Sequence, residues 1–62
     1  MTPKQVKVMA AYFEASDWLA DAIDNLIKAR RNGLSDNFPQ LEEVAAFRLR
    51  LYRQARADYE NL

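Results

Sequence analysis

Only three residues of this chain are strong helix breakers, and their positions divide it into two long segments. The single glycine is Gly33, and the two prolines are Pro3 and Pro39. Glycine and proline fit worst inside a helix, whereas the residues between these three positions can all be helical. This distribution predicts an all-α fold that consists of two helices and one connection.

The first helix is expected to cover residues 3 to about 32. Its start has the pattern of a capping box, with Thr2 as the N-cap, Pro3 in the first helical position and Gln5 reaching back to the cap. Basic residues in the last turn suit the exposed carbonyl groups, and Gly33 after them suits a left-handed conformation. Both ends of this helix are therefore marked in the sequence.

The second helix is expected to cover residues 39 to about 60. Residues 34–38 have the composition of a turn, and Pro39 favours an extended conformation for Phe38 while being able to open a helix itself. A connection this short places two helices side by side and antiparallel. Residues 1–62 are therefore predicted to form a single helical-hairpin domain.

Apolar side chains cover a very wide arc of each predicted helix. At about 100° per residue, the arc on the first helix measures roughly 220°, whereas a surface helix needs a stripe only a little over about 100° wide. We therefore expect the hairpin to dimerise into a four-helix bundle; the alternative is a third element supplied by a different protein. The candidate residues for the dimer or partner interface are Met9, Tyr12, Phe13, Trp18, Leu19, Ile23, Phe47, Arg48, Leu51 and Tyr52.

The composition also favours oligomerisation as the means of stabilising so short a chain. Small domains commonly use a disulfide, a metal ion or an oligomer. The absence of cysteine excludes disulfides and thiolate zinc sites, and the absence of histidine removes the usual metal ligand and general base. We therefore expect no metal and no cofactor.

No combination of residues predicts catalysis. Ser16 is a lone hydroxyl with no base to activate it. Four carboxylates share one face of the first helix, namely Glu14, Asp17, Asp21 and Asp24. This pattern suits either a metal or acid/base site or a solvated, salt-bridged face, and the second is favoured because metal-binding bundles normally add histidine. The protein is therefore not expected to be an enzyme.

The charged residues occur in blocks of alternating sign, although nine basic and nine acidic residues give a net charge of zero. In an antiparallel hairpin each block would lie opposite its complement, so we expect pairs between the helices that set orientation and register. Arg48 is the exception, because it falls inside the apolar arc. It is expected either to extend outward to solvent or to reach an acidic residue across a dimer interface.

The basic run of the second helix also permits a nucleic-acid-binding interpretation. Between Arg48 and Arg56, four arginines are interleaved with one aromatic residue, Tyr52, a pattern found in nucleic-acid interfaces. The residues that would bind nucleic acid are Lys4, Lys7, Arg50 and Arg53. The competing interpretation, in which these arginines pair with the acids of the first helix, is favoured because phosphate-binding proteins normally have a basic surplus.

Trp18 and the lack of long apolar runs bear on partners and location. Trp18 lies at the edge of the apolar arc, where it either packs in the core or dimer or serves as an exposed anchor for a partner. No apolar run approaches the roughly 18 residues of a membrane span. We therefore expect a soluble protein of the cytoplasm, which would be the host bacterial cytoplasm if the chain is phage-encoded.

Two family resemblances extend these expectations. Residues 11–37, AYFEASDWLADAIDNLIKARRNGLSDN, and residues 38–62, FPQLEEVAAFRLRLYRQARADYENL, resemble the small helical early proteins from the exo–xis region of lambdoid phages, and the resemblance covers the whole chain from Met1 to Leu62. That resemblance implies a small regulatory protein that acts early in infection through protein–protein interaction, modulating host functions or the balance between lysis and lysogeny. It implies no site residues, because the family has no site motif.

The second resemblance is to the Rop-type plasmid proteins, which are dimers of helical hairpins that bind paired RNA loops. It concerns the two ends of the chain, Met1-Thr2 with Lys4-Gln5 and Glu60-Asn61-Leu62. The interior departs from that pattern, because the face that would bind RNA has acidic residues at Glu14, Asp17 and Asp21. A Rop-like RNA- or DNA-binding adaptor is therefore the alternative function.

Overall fold

A computed structural model describes residues 1–33 and 38–62, which form two helices and no strand. Helix α1 comprises Pro3–Arg31 and helix α2 comprises Phe38–Glu60. The two helices pack against each other along their length, and Tyr12 near the start of α1 stacks on Tyr59 near the end of α2. The predicted all-α antiparallel hairpin is therefore confirmed.

The start of α1 is the predicted capping box. The backbone N–H of Gln5 donates to the Thr2 hydroxyl at 3.3 Å, and the Thr2 N–H donates to Gln5 Oε1 at 2.9 Å. These two bonds satisfy donors that a helix start otherwise leaves unpaired. At the other end, Gly33 has a φ of 68°, as predicted for the residue that follows the helix.

Helix α2 begins one residue earlier than predicted. Phe38 is helical rather than extended, and Pro39 occupies the second position of the helix. Proline is tolerated throughout the first turn of a helix because the N–H that it lacks would have no intrahelical acceptor there. The predicted turn over residues 34–38 otherwise lies outside the described residues.

Three alanines of α1 form the centre of the contact between the helices. Ala15, Ala22 and Ala29 are only 7%, 2% and 4% exposed, and they follow one another at heptad spacing. Within the described part of α2 no residue is buried to this degree. Small side chains let two helices approach closely, but they remove little apolar surface from water. The hairpin therefore has a narrow core that consists mainly of methyl groups.

The shape of the molecule leaves much of its surface exposed. It measures 47 × 14 × 13 Å, and its Cα radius of gyration is 14.3 Å, whereas a compact domain of this length has about 11 Å. Its accessible surface is 5048 Å², compared with about 4,100 Å² for a compact monomer of 7.2 kDa. The excess of about 900 Å² is close to the roughly 800 Å² that each partner buries in a standard interface.

Candidate interaction faces

Large apolar side chains lie on two opposite sides of the hairpin, one on each side of the alanine contact. On α1, Trp18 and Ile27 are separated by roughly 180° around the helix axis at about 100° per residue. Both are exposed. The wide apolar arc of the sequence is therefore two separate surfaces, divided by the line along which the helices touch.

The first surface, which we call the Trp18 face, is formed by Trp18 of α1 with Val44, Phe47 and Leu51 of α2. The three α2 residues recur at i, i+3 and i+7, so they lie on one side of that helix. Together with Trp18, Glu43 and Arg48 they line one groove. Trp18 is 45% exposed and Phe47 is 56% exposed, so this apolar surface is open to solvent.

The groove of the Trp18 face continues along the hairpin toward the chain termini. Its floor beyond Trp18 and Leu51 is made by small side chains, Ala11, Ala15 and Ala55. Lys7 and Asp58 lie on its far end. This face is thus a long, shallow apolar channel between the two helices, with charged residues of both signs at its rim.

Arg48 lies within the Trp18 face and contacts α1. It is half-buried, and its Nη1 donates to the backbone carbonyl of Trp18 at 2.9 Å. The sequence offered two positions for this side chain, extended to solvent or paired with an acid across an interface. The structure shows a third arrangement, in which the arginine lies across the groove and bonds to the backbone of the other helix.

The second surface, which we call the Phe13 face, belongs mainly to α1. Its exposed members are Val6, Phe13, Ala20, Ile23 and Ile27. Four of them, at positions 6, 13, 20 and 27, follow at heptad spacing, which keeps residues on nearly the same side of a helix. Phe13 is 54% exposed and Ile27 is 52% exposed. This face is therefore an apolar strip along one helix.

Three of the predicted interface residues lie inside the hairpin. Tyr12, Leu19 and Tyr52 are half-buried, and the rings of Tyr12 and Tyr52 stack with centroids 5.6 Å apart. Their hydroxyl oxygens lie 3.5 Å apart and share a hydrogen bond. That bond, together with repulsion between the two phenolates, raises the pKa of Tyr12 above its ordinary value of 10.0. These side chains therefore hold the two helices together.

The other predicted interface residues are divided between the two faces. Trp18, Phe47, Arg48 and Leu51 form the Trp18 face, whereas Phe13 and Ile23 belong to the Phe13 face. Met9 is half-buried near the chain termini, where it lines a shallow depression with Tyr59 and Leu62. Val44 and Ile27 were absent from the predicted set, although heptad spacing from Leu51 and Phe13 would have identified them.

The predicted ion pairs between the helices are not formed in the described part of the chain. Within residues 1–33 and 38–62 the one ion pair joins Arg56 Nε to Glu60 Oε1 at 2.9 Å, both in α2. Its hydrogen bond raises the pKa of the Arg56 guanidinium. The acids Asp17 and Asp24 lie on the side of α1 turned away from α2, roughly 140–160° from Ala22 at the middle of the alanine contact, so the arginines of α2 cannot reach them.

The residues of the nucleic-acid alternative do not form one basic surface. Lys4 and Lys7 are near the start of α1, and Lys7 shares the end of the groove with Asp58. Arg50 and Arg53 are exposed on the outer side of α2. Lys7 therefore has an acidic neighbour, and the two arginines do not line the part of the groove that contains it.

Ser16 and the acidic residues were the side chains considered for catalysis or metal binding. The Ser16 hydroxyl donates to the Tyr12 carbonyl at 2.9 Å, one turn earlier in α1. Within residues 1–33 and 38–62 no three acidic side chains converge on a point where they would hold a metal ion. Neither described helix has an apolar stretch long enough to cross a membrane.

Comparison with known proteins adds no relative. No family model, no curated protein and no solved structure matches this chain. The resemblances to phage early proteins and to Rop-type hairpins therefore stay predictions.

Proposed function

We propose that the protein is a non-enzymatic regulator that works as a homodimer and binds a partner protein. The observation that supports this proposal is the presence of two exposed apolar faces on opposite sides of one narrow hairpin. Monomeric soluble proteins rarely expose apolar patches larger than a few hundred Å² unless a partner covers them. Following the phage resemblance, the partner would be a host or phage protein whose activity the dimer modulates.

The Phe13 face is the one suited to a second copy. A two-fold axis at Ala20 would place Phe13 of one copy against Ile27 of the other, because both lie one heptad from Ala20. Such an isologous arrangement is the usual geometry of dimers. The resulting four-helix bundle would have α1 antiparallel to α1 of the second copy, with small side chains at the crossing point.

Charges on α2 support the same orientation. Glu42 and Arg56 lie one heptad to either side of Leu49 on α2. The bond between Arg48 and Trp18 sets the neighbouring Leu49 within about one turn of the level of Ala20. The same two-fold axis would therefore bring Glu42 toward Arg53 of the second copy. If the two copies of α1 were parallel, the Phe13 strip of each copy would instead lie against the charged residues of α2 from the other copy.

The dimer and its seam can be tested together by sedimentation equilibrium on matched variants. Phe13→Glu should weaken dimerisation by a factor on the order of 100 or more, because it places a charge at the centre of two symmetric contacts. Phe47→Glu introduces the same charge on the Trp18 face and should leave the dimer intact. A monomeric wild-type protein at all concentrations would refute the proposed homodimer.

A cysteine cross-link tests the orientation separately. The chain has no cysteine, so Ala20→Cys introduces a single thiol that should form a disulfide-linked dimer readily under mild oxidation. Ala10→Cys, on the outer side of α1, is the matched control and should cross-link slowly. Equal rates for the two variants would contradict an axis at Ala20, even if the protein is dimeric.

The nucleic-acid alternative is less well supported. Phosphate binding depends on a concentration of positive charge, whereas the net charge is zero and Lys7 lies beside Asp58. Two results together would support the nucleic-acid alternative. The protein would be retained on a single-stranded or hairpin RNA probe with an affinity that falls steeply with salt, and the double variant Arg50→Glu, Arg53→Glu would lose this binding.

A further inference from the structure

We infer that the Trp18 face binds an amphipathic helix of a partner protein, with a carboxylate on its apolar side pairing with Arg48. This inference rests on the proposed function, because it states which partner chemistry fits the face that the dimer leaves open. Three properties of the face support this inference: the shape of its groove, the single hydrogen-bond acceptor of the Arg48 guanidinium, and the charges at its rim.

The groove has the dimensions and spacing of a helix-binding site. It extends from Val44 to Asp58, which is about 20 Å along the helix axis. Its walls are Trp18 on α1 and the i, i+3, i+7 series on α2, and its floor consists of alanines. Grooves of this kind receive amphipathic helices through apolar anchors at i, i+3 or i+4, and i+7. A bound helix would complete a three-helix arrangement over this side of the hairpin.

Arg48 identifies the charge that such a helix should have. Within residues 1–33 and 38–62 the guanidinium has one acceptor, the Trp18 carbonyl, and it forms no ion pair there. A guanidinium has five N–H donors and favours bidentate carboxylates. Covering the apolar groove would remove water from the remaining donors, so an apolar helix without an acceptor would bind poorly.

A second copy of the chain is a poor occupant of this face. A two-fold axis through its centre, at the level of Trp18 and Phe47, would bring the two Arg48 side chains together. Like charges placed together in an interface oppose binding and select against the wrong partner. Arg48 thus distinguishes the Trp18 face from the Phe13 face, whose heptad positions 6, 13, 20 and 27 are all apolar, with Asp17 and Asp24 beside them on α1.

The rim of the groove argues against an anionic membrane or nucleic acid as the occupant. Glu14, Glu43 and Asp58 line the groove together with Lys7 and Arg48. Surfaces that attract anionic lipids or phosphates are predominantly basic. A rim of both signs instead fits a peptide helix with charges of both signs along its edges.

Trp18 is the only tryptophan of the chain, so its fluorescence reports directly on this face. The probes are synthetic tryptophan-free amphipathic helices of about 18 residues, or about 27 Å. Three peptides have one glutamate on the apolar side, moved by one turn from each to the next, and three matched peptides have lysine at the same positions. At least one glutamate peptide should shift Trp18 emission to the blue and bind about tenfold more tightly than its lysine counterpart.

Charge reversal tests the assignment to Arg48. Arg48→Glu should invert the preference, so that the lysine peptide binds more tightly than the glutamate peptide. Arg50→Glu makes the same change in net charge on the outer side of α2, and it should leave the preference unchanged. Circular dichroism of both variants establishes that the helices are retained, and Phe13→Glu should bind the peptides as the wild type does.

Several outcomes would overturn the inference. Two of them are the absence of a blue shift with all six peptides and equal binding of the glutamate and lysine peptides. A third is a blue shift that appears when the protein concentration alone is raised, which would assign the face to a second copy. A blue shift with vesicles of anionic phospholipid, but not with the peptides, would assign it to membranes. Dimerisation is measured separately by sedimentation. A protein that dimerises but does not bind the peptides would therefore refute only this inference.

Discussion

The Trp18 face and the Phe13 face lie on the same hairpin and expose similar aromatic residues, yet they are built differently. The Trp18 face is a groove to which both helices contribute, and it includes the half-buried guanidinium of Arg48. The Phe13 face is a strip along one helix, with apolar residues at heptad spacing and the exposed acids Asp17 and Asp24 beside it. We propose a second copy for the apolar strip, and a different partner for the groove in which Arg48 has a single acceptor.

The comparison also shows why the total width of an apolar arc is a poor guide to its use. The arc on α1 is cut into two by Ala15, Ala22 and Ala29, which contact α2. Because these side chains are small, the helices approach closely and the larger residues on either side are left at the edges of the contact. Trp18 and Phe13 therefore lie roughly 140° apart around α1 and belong to separate surfaces.

The largest effect on both faces together is expected from filling the alanine contact. Ala22 is 2% exposed, so Ala22→Leu should separate the helices and lower the free energy of unfolding by about 1–3 kcal/mol. The groove of the Trp18 face should at the same time no longer fit the glutamate peptides. Urea unfolding measures the first effect, and the Trp18 emission shift with the glutamate peptides measures the second.

Ala10→Leu is the matched control for this change, since Ala10 is exposed on α1 and should tolerate the larger side chain. If Ala22→Leu were as stable as the wild type, the close approach of the two helices would not be what divides the faces.

A change at Arg48 should make the two faces more alike. Arg48→Leu removes the charge from the Trp18 face, so that face should begin to associate with itself and convert dimers into tetramers at high concentration. The expected gain is a few-fold to about tenfold in association, since one like-charge contact is relieved. Sedimentation velocity would detect the larger species; unchanged dimers would show that Arg48 is not what prevents self-association.

The smallest expected effect concerns the tyrosines between the faces. The hydrogen bond with Tyr52 raises the pKa of Tyr12 above 10.0 in the folded chain. A group whose pKa is raised on folding contributes stability below its unfolded pKa and loses that contribution as the pH rises through its folded value. The hairpin should therefore become less stable above about pH 10.

Urea unfolding of the wild type and of Tyr12→Phe, measured from about pH 8 to pH 11, tests this expectation. The variant should show a shallower loss of stability over that range, because it has no hydroxyl to ionise. The same slope in both proteins would mean that the Tyr12–Tyr52 bond does not contribute to the pH dependence.

Much of the fold could be predicted from local features. The capping box at Thr2 and the left-handed conformation of Gly33 are local interactions, and both occur where the sequence predicts them. The start of α2 was misplaced by one residue, because the preference of Phe38 for an extended conformation was overridden in the first helical turn. Ion pairs between the helices were predicted from the order of charge blocks, which ignores the side of the helix on which each charge lies.

The candidate interface was predicted as a set but not as an arrangement. Tyr12, Leu19 and Tyr52 are apolar or aromatic residues like Trp18 and Phe47, yet they pack within the hairpin. Nothing in composition separates these two groups. The separation depends on the rotation of each helix about its axis, which is set by how the alanines of α1 meet α2.

The sequence by itself determined that this chain forms two helices, where they begin and end to within a residue or so, and that apolar residues exceed what one hairpin can bury. These are consequences of residue type and spacing along a single helix. Only the tertiary structure decided that the apolar surplus forms two opposed faces, and that Arg48 lies in one of them bonded to the Trp18 carbonyl. The reason is physical: the contact line depends on packing between side chains far apart in the chain, and periodicity within either helix does not specify it.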